Sequence, residues 1–234
     1  MPHIHPETRR ITRDDLRALA KKVPFSVSNF VRRIDGKLVG MYNRGDWNEG
    51  QRRLGCVGGA ALITDRKALR AMGADFLDGD DFRVKLPRKN LKDAVDRCSG
   101  ARPKMAEWDA RREAVEELCE EPIGASDPVL EPDMLDGAKF SFAGSAVNVR
   151  NGQGACQVFR FFDMETGSPE VLRRIVASRI AFVIDPRRYL TRAVGGTFRH
   201  FVVPDGMVRP VRLKDSLVCA IEKILCNGNA LPGR

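Results

Sequence analysis

Three glutamates within one short stretch carry the clearest chemical pattern in this sequence. Glu113, Glu116 and Glu117 are spaced i, i+3 and i+4, which places their carboxylates on one face of a helix. Like charges so placed repel one another, whereas a bound divalent cation would turn that repulsion into attraction. Mg²⁺ prefers carboxylate oxygens together with water and phosphate. The trio therefore predicts a magnesium site, and the alternative is a solvated helix face.

Clustered carboxylates with bound metal suit the hydrolysis of a pyrophosphate linkage. The negative oxygens of such a linkage repel a nucleophile, and metal ions neutralise them, orient the phosphates and acidify a bound water. Arg112 directly precedes the trio. We expect Arg112 to pair with one of the glutamates and to orient it from outside the metal shell.

Two further pairs of residues are candidates for contact with substrate. Arg83 and Lys85 are two apart in a predicted strand, so their side chains share one face. They either clamp phosphate or form the solvent face of the strand. Gly58 and Gly59 indicate either a bulge with tight packing or a place where substrate approaches the backbone.

The predicted elements around these residues are hairpins interleaved with helices. Asp35-Gly36 is a strong two-residue turn signal within a hairpin over Phe25–Arg44, and a second hairpin joins Lys139–Arg150 to Ala155–Met164. The carboxylate helix is predicted from Met105 to Glu121, with Trp108 in the core. Further helices are expected from Thr12 onward and over Asp65–Met72, Asn90–Arg97, Pro169–Ala177 and Leu213–Cys226.

This pattern predicts an α/β fold in which a mixed sheet carries helices on its faces. No linker clearly divides the chain. We interpret residues 1–50 as an N-terminal helix and hairpin that pack on a main catalytic domain, residues 51–234.

Composition excludes several classes of protein. The chain has 234 residues, six scattered cysteines without a CxxC pair and three histidines, so a thiolate zinc knuckle or a histidine-rich metal centre is not expected. No apolar run approaches the ~20 residues that span a bilayer, and no signal peptide is recognisable. We expect a cytoplasmic protein with reduced thiols and no membrane partner.

Charge is distributed unevenly along the chain, whose formal net charge is +9. Residues 107–136 hold eleven acidic and two basic side chains, and residues 171–214 hold ten basic and two acidic ones. The acidic region can concentrate cations, and the basic region can meet substrate phosphates or RNA and DNA. Because no nucleic-acid-binding motif is present, nucleic acid is the secondary partner and a small nucleotide the primary one.

The run from Arg112 to Glu117 resembles the central part of the Nudix box, G-x5-E-x7-R-E-U-x-E-E-x-G-U, where U is aliphatic. Ala114 stands at the first U position. The box's first glutamate would fall on Lys104, and the nearest acid is Glu107. Its first glycine would fall on Cys98, and its closing Gly-U falls on Cys119-Glu120.

The order of segments extends the resemblance. LGCVGGAALI (54–63), FRVKLPRKNLKDAV (82–95) and the carboxylate helix follow one another as in the SMODS-associated Nudix subgroup of bacterial defence systems. The similarity covers roughly residues 54–162. It implies a mixed sheet sandwiched between helices (α/β/α) and glutamates 113, 116 and 117 as metal ligands, one of which can also serve as base. Family members are often homodimers, which suggests the same here.

Our leading hypothesis is a Mg²⁺- or Mn²⁺-dependent nucleotide pyrophosphohydrolase. Its substrate would be a nucleoside triphosphate or a nucleoside diphosphate linked to a second group, such as ADP-ribose. The resemblance implies a role in antiviral defence linked to CRISPR or cyclic-oligonucleotide signalling. The alternatives are a catalytically degenerate Nudix-fold module that binds a nucleotide signal, and a basic nucleic-acid-binding protein.

Overall fold

The structure is a computed structural model of the chain. It describes residues 19–42, 47–48, 50–77, 79–120, 127–150, 154–194 and 197–227. The helix expected from Thr12 onward begins outside these described residues.

The described part of the chain forms five α-helices and twelve strands. The strands are β1 (Lys22–Ile34), β2 (Lys37–Tyr42), β3 (Arg53–Gly55), β4 (Val57–Ala60), β5 (Asp75–Phe76), β6 (Arg83–Pro87), β7 (Lys139–Arg150), β8 (Ala155–Glu165), β9 (Ala181–Val183), β10 (Tyr189–Val194), β11 (Thr197–Val202) and β12 (Val211–Leu213). The helices are α1 (Arg66–Ala71), α2 (Leu91–Cys98), α3 (Arg111–Val115), α4 (Pro169–Ala177) and α5 (Asp215–Asn227), and α3 continues as one π-helical turn over Glu116–Glu120. Short 3₁₀ turns cover Arg88–Asn90, Pro132–Leu135 and Pro186–Arg188.

Strand β1 organises the sheet because it pairs with four other strands, one of which, β8, lies along most of its length. Its first half pairs with β6 and its second half with β4, both antiparallel, while β8 runs parallel to it on the other side. The predicted hairpin with β2 is confirmed. Asp35 and Gly36 adopt φ values of 45° and 77°, as a type I′ turn requires.

The sheet is large, open and mostly antiparallel. Its longest path runs β10-β11-β12-β3-β2-β1-β6-β5, with β4 and β8 joined to β1, β7 joined to β8, and β9 joined to β2. Only β1 with β8 and β12 with β3 are parallel among the described pairs. The molecule is therefore mixed α/β, as the sequence indicates, and the segment 22–42 contributes two strands to this sheet.

Apolar side chains on both faces of the sheet form the core. Phe25 and Val27 of β1 are buried with α2, and Phe161 and Phe162 of β8 are buried with α4 and α5. All six cysteines are free thiols. None of the helices in the described ranges is long and apolar enough to cross a membrane.

The prediction of a helix beginning at Met105 is wrong, because α3 begins at Arg111. The backbone before it bonds to a distant segment instead: Thr64 N donates to Met105 O at 2.9 Å, and Glu107 N donates to Leu62 O at 2.9 Å. The Glu107 N–H is used in this way and is therefore not available for the i→i−4 bond of a helix. The expectation that Trp108 is a core residue is also wrong, since it is 64% exposed.

Candidate functional site

The carboxylate helix, α3 with its π-helical turn, packs directly on the two glycines of β4. A Cβ atom on Gly59 would overlap the carboxylate of Glu113. Gly58 has a φ of +132°, and its N–H donates to Glu117 Oε2 at 2.6 Å. Gly59 is therefore needed for the close approach of Glu113. Gly58 is required by its backbone conformation and by the Asn29 backbone that a Cβ would overlap.

Arg112 lies at the centre of a group of carboxylates. Its Nη1 donates to both oxygens of Glu116 at 2.9 Å, and its Nη2 donates to Glu113 Oε1 at 2.5 Å. Its Nε and Nη2 reach the two oxygens of Glu107 at 3.3 and 3.1 Å, and Nη2 also donates to the Ala60 carbonyl at 2.8 Å. The expected pairing of Arg112 with a glutamate is present, and it extends to three of them.

Glu107 is the member of this cluster that the sequence-based selection of site residues missed. It lies in the loop before α3, and its Oε2 also accepts from the Leu62 N–H at 3.3 Å. The signal that could have found it is its position as the nearest acid to the box position that Lys104 occupies.

A buried guanidinium on the sheet fixes the loop that carries Glu107. Arg160 of β8 is fully buried and donates to the carbonyls of Glu107 at 2.6 Å and Trp108 at 2.9 Å. It also donates to Asn29 Oδ1 at 2.7 Å, and Asn29 Nδ2 donates to the Asp109 carbonyl at 2.6 Å. These bonds hold the backbone on the C-terminal side of the Glu107 side chain.

Around Arg112, three carboxylates from the described residues share one guanidinium. Burial raises the pKa of Glu113 to about 7, although Arg112 opposes the shift, and Glu116 and Glu107 add to it. Burial alone would lower the pKa of Arg112, but its hydrogen bonds to Glu116 and Glu107 raise it. A further positive charge beside Glu113 would therefore favour its ionised form.

The predicted phosphate clamp lies elsewhere. Arg83 pairs with Ser26 across β6 and β1, whereas Gly59, which contacts the carboxylate helix, pairs with Asn29 on β1. Side chains alternate along a strand, so Ser26 and Asn29 point to opposite faces. Arg83, and Lys85 two residues later, are exposed on the face opposite to the carboxylate helix. The structure brings together the other six predicted site residues and not these two.

The donor atoms of the cluster suit a hard divalent cation. Carboxylate oxygens from Glu113, Glu116 and Glu117 are the ligand type that Mg²⁺ and Mn²⁺ take, and the excess of negative charge fits a cation. Across the described residues, no group of three or more His, Cys, Asp or Glu side chains is arranged as a metal shell. Two of the three glutamates are turned towards Arg112 instead.

No protein-family model matches the chain, and neither a curated protein nor a solved structure matches it. Its function is therefore inferred from the geometry of the cluster.

Proposed function

We propose that the chain is a Mg²⁺- or Mn²⁺-dependent nucleotide pyrophosphohydrolase. The observation that carries the proposal is the arrangement around Arg112: a buried and a half-exposed glutamate one turn apart, and Glu107 from the preceding loop, all held by one guanidinium. A fourth carboxylate, Glu117, is fixed beside them by the Gly58 N–H. The alternative, that the glutamates are only a solvated helix face, does not explain why a carboxylate is buried against a glycine.

Each residue of the cluster has a distinct role in this proposal. Glu113, Glu116 and Glu117 would hold the metal, which supplies charge neutralisation for the phosphates and an acidified water. Arg112 and Glu107 position Glu113 and Glu116 rather than contacting substrate. Gly58 and Gly59 keep the surface beside the carboxylates free of side chains.

The resemblance to the Nudix box supports two finer parts of the proposal. We infer that the sheet and its helices form a Nudix-type sandwich, because an Arg-Glu-x-x-Glu-Glu helix packs on a glycine-bearing strand. We also infer that the substrate is a nucleoside triphosphate or a nucleoside diphosphate linked to a second group. The setting is bacterial antiviral defence, on the resemblance alone.

The test is a panel of nucleotides incubated with Mg²⁺ or Mn²⁺ and analysed for released monophosphate, pyrophosphate or phosphate. Hydrolysis should fall at least on the order of 10²-fold in Glu116→Gln and in Glu117→Gln, because each loses a charged ligand oxygen. Glu120→Gln is the matched control, since Glu120 lies on the same turn but is exposed. A panel without metal-dependent hydrolysis would overturn the proposal.

A second function is favoured by one specific observation. Both oxygens of Glu116 and one oxygen of Glu113 already accept hydrogen bonds from Arg112, which is a stable arrangement without metal. This favours a module that binds a nucleotide without hydrolysing it. In that case a nucleotide from the same panel should raise the melting temperature with no product formed.

A further inference from the structure

Arginines line up on one face of the sheet at the end formed by β10, β11, β12 and β3. The strand register places Arg192 directly opposite Arg199, and Leu190 opposite Phe201. The row that begins with Leu190 and Phe201 continues across the next two strands, because Phe201 pairs with Arg212 and Arg212 with Arg53. Directly paired residues share a face and residues two apart share it too, so these six side chains form one surface, which we name the arginine face.

The arginine face is turned away from the core. Tyr189, which points to the opposite face, donates its hydroxyl to Glu222 of α5 at 3.1 Å and stacks on His200. On the arginine face, Leu190 is 50% exposed, and Arg192 and Arg212 are exposed. Helix α5 therefore covers one side of this part of the sheet, and the exposed side chains of Leu190, Arg192 and Arg212 lie on the other.

Among the described residues, the charges of Arg192, Arg199 and Arg212 have little local compensation. Between residues 189 and 214 the only acidic residue is Asp205, and it pairs with Arg188. Within the described residues, no carboxylate pairs with Arg192, Arg199 or Arg212. Like charges directly opposite each other destabilise a pair of strands. An anion bound between the two guanidinium groups would replace this repulsion with attraction.

The row is wide enough to contact several phosphates of a polymer rather than a single phosphate. It crosses four strands, which at ~4.8 Å between strands is about 14 Å. Guanidinium groups bind phosphate through two parallel hydrogen bonds. Phe201 lies between Arg199 on its own strand and Arg212 on the next strand, and Leu190 lies beside Arg192. Both offer apolar contact to bases, the combination that single-strand binding surfaces use.

We propose that the arginine face binds the phosphate backbone of single-stranded nucleic acid. The surface is distinct from the carboxylate cluster, so this binding is separate from nucleotide hydrolysis. The arginines contact phosphates and Phe201 contacts a base, so recognition depends little on sequence.

The test is the binding of fluorescent oligo-dT and oligo-U, about 20 nucleotides long so that they exceed the ~4–16 nucleotides of one single-strand site. Anisotropy is measured across a salt series with the full chain and with Arg192→Gln/Arg212→Gln. Both side chains are exposed, so the variant should fold. Its affinity should fall on the order of tenfold, and the slope of log K against log salt should become shallower by about 1.4, or ~0.7 per lost contact.

The control removes the same charge elsewhere, in Arg70→Gln/Arg173→Gln on α1 and α4, and should bind like the unmodified chain. A preference for oligo-U would indicate contact with the 2′-hydroxyl, and equal binding would indicate phosphate contact alone; both support the proposal. Absence of binding at low salt, an equal loss in the control variant, or displacement by polyglutamate of equal charge would overturn it. Glu116→Gln should bind the oligonucleotides normally, which separates this result from the test of hydrolysis.

Discussion

The carboxylate cluster and the arginine face differ in how far their charges are balanced by neighbouring residues of the chain. In the cluster, Arg112 lies among acids, most of its bonding positions are used, and the backbone around it is fixed by Arg160. On the arginine face, cations oppose cations across the strands, and Arg192 and Arg212 are exposed to solvent. The comparison indicates that the cluster is organised before any ligand arrives, whereas the face depends on a ligand to balance its charge.

The largest expected effect comes from the buried support of the cluster. Arg160→Met should lower the free energy of unfolding by about 4 kcal/mol, because the Trp108 carbonyl and Asn29 Oδ1 lose their donor in the interior and the Glu107 carbonyl loses the nearer of its two donors. Urea denaturation measures the loss, with the exposed Arg173→Met as control. A loss below about 1 kcal/mol would mean that the loop before α3 is held by other contacts.

The glycines of β4 should differ from each other. Gly58→Ala should cost about 3 kcal/mol, because the new Cβ would overlap the backbone of Asn29 and the backbone has a φ of +132°. Gly59→Ala should cost about 1 kcal/mol, because its Cβ would meet only the end of the Glu113 side chain, which can swing away. Thermal unfolding of the two variants gives the comparison, and equal losses would contradict this account of the packing.

Burial of Glu113 should make stability depend on pH in the metal-free protein. Its pKa of about 7 is raised above the ordinary value of 4.5, so the folded state keeps a proton that the unfolded state loses. Stability should therefore fall as pH rises from about 4.5 to about 7 and stay constant above that. Glu113→Gln removes this fall, and should be about 2 kcal/mol more stable than the unmodified chain above pH ~8.

The experiment is urea denaturation across pH in EDTA. Glu120→Gln, which changes an exposed acid in the π-helical turn that follows α3, should keep the pH dependence of the unmodified chain. If Glu113→Gln and the unmodified chain show parallel pH profiles, Glu113 is ionised in the fold and the cluster is less buried than described.

Local signals in the sequence were sufficient for part of this structure. The Asp35-Gly36 turn and the helix Pro169–Ala177 were predicted because their determinants lie within a few residues. The sequence also predicted that Arg112 pairs with one of the glutamates. Glu116 is among its partners because i and i+4 side chains meet on any helix.

Long-range pairing explains what the sequence did not reveal. Helix α3 begins late because Met105 O and Glu107 N bond to residues 62–64, and Glu107 joins the cluster because Arg160 holds its carbonyl from β8. The arginine face exists only through the register of four strands, and no local pattern in the sequence fixes which arginine lies opposite which.

The smallest expected effect concerns two cross-strand pairs in the same sheet. The pair on the arginine face is repulsive, and the pair of Lys85 with Asp75 is attractive. Arg199→Thr should raise the free energy of unfolding by about 0.5 kcal/mol at low salt, because it removes a cation directly opposite Arg192. Lys85→Thr, also a cation in a strand, should lower it by a similar amount, because Lys85 lies opposite Asp75. Both effects should shrink in thermal melts at high salt, since screening weakens exposed charges. If Arg199→Thr destabilises the chain at low salt, Arg199 already has a favourable environment without a ligand, and the charge of the arginine face does not require an anion.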